Sequence, residues 1–170
     1  MINRKKTLNL PDSPRTKVFR AVEDILRNDP VLKQVLGLAT RPQAFRSWSG
    51  EPTDVADFSK TGLPALRITP FAQNEQYWYP NQMKGNLAIQ FEIHINSNCI
   101  DDVDNLFYAI ERALVPKLNA DRLANEAKLK AAGAMLGQCH FTQPAVVHEK
   151  VGEGGTFRAL GTLLIEVKTT

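Results

Sequence analysis

The chain is poor in cysteine, with only Cys99 and Cys139 in 170 residues. Two thiols are too few for a disulfide framework, and a reduced pair in a cytoplasmic setting is expected. Long apolar runs are also missing. No window approaches the roughly 18 consecutive apolar residues of a membrane helix, so no transmembrane span is expected. The N-terminus has the charged start of a secretory signal, but Thr7-Leu8-Asn9-Leu10-Pro11 is too short and polar to be its core. The chain is therefore expected to stay soluble in the cytoplasm. There is no internal repeat and no linker that would divide two domains. Hydrophobic residues at 43% and charged residues at 23% exclude collagen-like, mucin-like and wholly disordered chains. A length of 170 residues fits one domain that buries its core without a staple.

Strong charge of one sign is absent too. The net charge is +3, from 21 basic and 18 acidic residues. It is unevenly spread. Residues 1–17 carry Arg4, Lys5, Lys6, Arg15 and Lys17 against Asp12 alone, a net of +4 that leaves −1 for the rest. Residues 1–14, polar and broken by Pro11 and Pro14, read as a flexible basic arm. Residues 15–170 read as a single α+β domain.

The periodicities place the elements. Val18, Val22, Ile25 and Leu26 share one helical face, with Ser13-Pro14 as cap and first turn. Asn28-Asp29-Pro30 breaks that helix, and a shorter one carries Val31, Leu32, Val35 and Leu36 up to Gly37. Phe45–Trp48 and Leu63–Thr69 read as strands, with Pro64 at the start or edge of the second. In Leu87–Ile95 five apolar residues alternate with Ala88, Gln90, Glu92 and His94, which predicts a half-buried strand. Val103, Leu106, Phe107, Ile110 and Leu114 mark a helix lying on the sheet. A helical insertion near 119–136 has a thin apolar stripe, so it is expected to be exposed or to serve an interface. Cys139–Val147, with Pro144 inside, reads as an edge or bulged strand. Gly152–Gly155 makes a hairpin loop, and Phe157–Lys168 is the last strand. The order implies a mostly antiparallel sheet with helices packed on one face.

Few residues invite chemistry. Gly152-Glu153-Gly154-Gly155-Thr156 lacks the lysine and the helix of a phosphate loop and fits a hairpin turn. His94, His140, His148, Cys99 and Cys139 match no zinc spacing. Asp101, Asp102 and Asp104 suit a magnesium site less well than they suit a helix N-terminus, where the dipole favours acids. No serine or cysteine sits in a nucleophile context. No catalytic, metal-binding or cofactor-binding residue is therefore expected, and an enzyme is not. Tyr77-Trp78-Tyr79, three aromatics in a polar loop, cannot all enter one core and fit a partner contact. The arm, with Arg4, Lys5 and Lys6, fits contacts with phosphates or with a neighbouring chain. The candidate assembly contacts are thus Arg4, Lys5, Lys6, Tyr77, Trp78, Tyr79, Gly154 and Gly155.

The arrangement has a known likeness. A helix over Val18–Leu26 and Val31–Leu36 leads into Leu63-Pro64-Ala65-Leu66-Arg67-Ile68. A polar connection precedes Asn86–Ile95. The helix 102–114, a helical insertion at 119–136 and a closing hairpin with Gly152–Gly155 at its tip follow. This resembles the tail terminator (tail completion) proteins of long-tailed bacteriophages and related neck proteins. The resemblance spans most of residues 15–168 and lies in element order, with no invariant chemical motif. It implies a small α+β subunit that assembles as a ring, usually a hexamer. The ring would cap the tail tube protein, stop its polymerisation and offer a surface to the head–tail connector. It implies a virion location in the tail or neck, assembly in the host cytoplasm, no membrane, and DNA passing through the lumen without specific binding. The basic arm and the helix near 121–132 match no feature of that pattern. The alternatives are another head–tail joining or minor tail protein of similar fold, and a nucleic-acid-binding module that uses the arm.

Overall fold

A computed structural model of the chain describes residues 11–47, 62–71, 84–96, 101–114, 122–151 and 154–168. Helix α1 (Pro14–Asn28) starts at Ser13, whose hydroxyl accepts from the Thr16 N–H at 3.1 Å. Asp12 forms an ion pair with Arg20, in the second turn of the helix. Residues 12–14, read as the end of the arm, are thus fastened to the body, and residues 1–10 lie outside the described residues. Asp29 ends α1 and starts α2 (Pro30–Val35), accepting from the Leu32 N–H at 2.9 Å. Gly37 follows at φ +63°, a left-handed conformation that a side chain would strain.

The second helix buries less than its composition promises. Leu32 and Leu36 are fully buried, but Val31 and Val35 are 45% and 47% exposed. A helix of only six residues presents one narrow face to the core, and leucines four apart fill it.

A 3₁₀ turn (Pro42–Ala44) leads into β1 (Phe45–Ser47), and Trp48 lies outside the described residues. Then come β2 (Ala65–Phe71), β3 (Lys84–Asn96), α3 (Asp101–Leu114), α4 (Arg122–Ala132), β4 (Ala134–Val151) and β5 (Gly154–Lys168). The five strands form one sheet in the order β1-β2-β3-β5-β4. The β1–β2 pair is parallel and the other three are antiparallel. The fold is α+β, with the helix layer against one sheet face.

That face is the core. Leu66 and Ile68 of β2, the five alternating apolar residues of β3, and Leu163, Ile165 and Val167 of β5 meet α1 and α3 in one cluster. All five stripe residues of α3 are buried. Gly161 lets the helix layer approach closely, because a Cβ there would lie 2.2 Å from Cζ of Phe107. Glu23 of α1, only 8% exposed, accepts from Ser47 Oγ at 2.5 Å. Arg27 stacks its guanidinium on the Phe45 ring, 4.4 Å from the centroid. These contacts fasten the short β1 to α1.

Three expectations need adjusting. The helical stretch ends at Ala132, and residues 134–136 belong to β4. Gly133 takes φ +103°, and Ala134 and Met135 then pair with Val167 and Glu166, so the ladder overrides helical composition. Next, α4 is not merely exposed. Leu123 is 78% exposed but Leu129 is 2% exposed, inside the core cluster. Asn125 also donates to the Ala113 carbonyl at 3.3 Å and Lys128 pairs with Asp24 at 2.8 Å. Finally, the polar face of β3 is not open to solvent. Ala88 and Glu92 are 2% exposed and His94 is 7% exposed. Strand β4 is the sheet's outer strand, as its proline implied, and its register shifts between Thr142 and Ala145, around Pro144.

Arg41 fastens the approach to β2. Its Nη1 donates to the Leu63 carbonyl at 3.1 Å and its Nη2 to the Pro64 carbonyl at 2.7 Å. Lysine keeps the charge but lacks the fork. Arg41→Lys is expected to lower stability by about 1–3 kcal/mol, read from urea denaturation with an unchanged slope. Among the described residues no helix is long and apolar enough to cross a membrane.

Candidate functional site

Helices α1 to α4 leave a groove of about 540 Å³ at the helix side of the fold. Ile25, Val31 and Ala109 supply apolar lining, and Tyr108, Arg112 and Lys128 supply polar groups. The pattern that makes α3 amphipathic sets this up. Its buried stripe faces the sheet, so Asp101, Asp104, Tyr108 and Arg112 fall on the outer side, and all four are exposed. Tyr108 is 51% exposed. Among the described residues the Arg112 side chain has no hydrogen-bond or ion-pair partner. Lys128 has only its surface pair with Asp24, both about half exposed, a kind of pair that contributes little. Asp29, also on the lining, is committed to capping α2.

The opposite sheet face carries a trio of polar side chains, Arg67, Glu92 and His94, the last two buried. Arg67 of β2 stands directly across from Glu92 of β3. Its Nη2 makes an ion pair with Glu92 Oε2, and His94 Nε2 donates to Glu92 Oε1 at 2.9 Å. Both carboxylate oxygens are engaged, and the residues come from adjacent strands. The arrangement can join β2 to β3.

The third feature is the free side of β4. This 18-residue strand pairs with β5 on one side and is last in the sheet. The run Ala145–Val151 is paired without a shift, from Leu160 to Gly154. An unpaired strand edge offers backbone donors and acceptors to a further chain.

The sequence-derived candidates distribute unevenly over these features. Gly154 and Gly155 are ladder residues at the start of β5, opposite Val151 and Lys150, in the closing hairpin. Arg4, Lys5, Lys6, Tyr77, Trp78 and Tyr79 lie outside the described residues, as do Cys99, Gly152 and Glu153. Asp101, Asp102 and Asp104 form the first turn of α3, as a helix start would have them. His140 and His148 are β4 ladder residues, and His94 is in the trio. Among the described residues no three His, Cys, Asp or Glu groups are placed to hold a metal ion. The groove was not found from sequence. Its signal was present in Tyr108, an aromatic outside the stripe assigned to its helix, whereas Val31 reads as part of the apolar set of the second helix.

No family model matches the chain, and no curated protein does. Among solved structures, a chain from a "virion of native gene transfer agent (GTA) particle" is similar, with a TM-score of 0.49 and 12% identity. The match covers 86% of this chain and 92% of that one.

Proposed function

We propose that the chain is a structural virion protein, a tail terminator that caps the tail tube as a ring and offers its other side to the head–tail connector. What supports the reading is the order of elements, now with its pairing. Two helices and a strand precede an antiparallel strand pair, a helix crosses the sheet, and a long hairpin closes it. That is the order on which the resemblance to tail terminators rests.

The surfaces agree with a ring. A closed cyclic assembly needs two unlike patches on each subunit. The long outer strand and the helix-side groove are unlike in chemistry, one offering backbone groups and the other a charged and aromatic surface. The role is non-catalytic, with DNA passing through the lumen. The domain over residues 15–170 carries +1, the total of +3 less the +2 of residues 1–14, and would hold that DNA weakly.

The expected result is a ring of about six subunits, measured by native mass spectrometry of the full chain. The same preparation should bind the ends of purified tail tubes in electron micrographs. A monomer that leaves tube ends bare would sink the reading.

A further inference from the structure

We propose that the groove between α1 and α4 is the seat, within that ring, for the first turn of α3 of a second copy of this chain. The inference rests on the ring reading. It names which surfaces meet.

The argument is one of charge and placement. The groove presents Arg112, which has no partner among the described residues, beside Lys128, whose one pair is exposed. Tyr108 and Val31 add exposed apolar surface at the same place. A matching occupant therefore carries carboxylates on a short, exposed element. The first turn of α3 supplies this, with Asp101, Asp102 and Asp104 all exposed. Three exposed acids within one turn make this the acidic cluster that the described helix layer offers. Seat and occupant lie on one rigid helix, Asp101 and Arg112 being about 16 Å apart along its axis at 1.5 Å per residue. Two complementary but different patches on one rigid body can meet head to tail, and such contacts make a ring where the rotation between copies closes.

The pairing is tested by charge reversal in the full-length chain. Arg112→Glu and Asp104→Lys change exposed positions, and circular dichroism checks that each variant folds. Native mass spectrometry and sedimentation are then run from low to high protein concentration, with and without tail tubes. Each single variant is expected to lose the ring, or to need at least ten times more protein to form it. The double variant, with both signs reversed, is expected to assemble as the unaltered chain does. Exposed charges are screened within about 10 Å at 0.1 M salt, so the contrast is read at low ionic strength. Rings formed equally well by both single variants overturn the seat and leave the ring reading standing. Loss in the single variants without recovery in the double variant also overturns it. An unaltered chain that stops at a monomer or a two-fold dimer, even on tail tubes, overturns the ring reading and the seat together.

Discussion

Gly161→Ala is expected to destabilise the protein by about 3 kcal/mol, the upper part of the range for overpacked cores. The added methyl would sit 2.2 Å from Cζ and 2.4 Å from Cε1 of Phe107, closer than carbon atoms approach in folded proteins. The Phe107 ring would have to move, but it is 4% exposed and surrounded by the core cluster. The strand cannot easily yield instead. Gly161 is held in the β3 ladder opposite Phe91, itself fully buried. For a chain of this size that loss lowers the thermal midpoint by about 6–12 °C. Calorimetry of the purified variant reads it directly.

A second substitution identifies the cause. Phe107→Leu alone leaves a void and costs stability. In the Gly161→Ala background it removes the clash, so the double variant should be more stable than the two single losses predict. A double-mutant cycle isolates that coupling. Strictly additive losses would show that α3 does not lie on β5 at this point, and the packing of the helix layer would need revision.

Much of this architecture is visible in the residue order, for a physical reason. Periods of 3.6 and 2 are local properties of a chain with one buried face. The α3 stripe, the β3 alternation and the break at Asn28-Asp29-Pro30 all lie where those periods put them. What a single segment does not encode is its neighbour. Glu92 and His94 look like the solvent side of a strand until Arg67 stands opposite them, and the register that brings it there joins residues 25 apart in sequence. Val31 looks like core until a six-residue helix shows that only Leu32 and Leu36 fit beneath it. The groove is further still from sequence, because it exists only where four helices are assembled. Of the proposed contact residues, Gly154 and Gly155 fall in the closing hairpin, while the arm and the aromatic triplet are outside the described residues.

Arg67→Ala is expected to cost about 3–5 kcal/mol, the loss found when one partner of a buried ion pair is removed. The loss exceeds the worth of the pair because Glu92, at 2% exposure, would remain buried without the guanidinium that faces it. Replacing the trio as a unit should behave differently. Arg67→Met, Glu92→Leu and His94→Leu together remove the ion pair as a unit, and such swaps are often neutral or stabilising by about 1–4 kcal/mol. Urea denaturation of the two variants side by side tests both values. A loss under about 0.5 kcal/mol for Arg67→Ala, the scale of ordinary surface changes, would mean that Glu92 is reached by water. If the triple variant is stable, the trio's contribution is register and not net stability. A one-residue slip between β2 and β3 would send Glu92 into the apolar face that holds Phe91 and Ile93. The observed register is the one that sets Arg67 across from Glu92. The triple variant should therefore lose stringency before it loses stability. Faster or heterogeneous exchange of its β2 and β3 amide protons, compared with the unaltered chain, is the measurement that distinguishes the two roles.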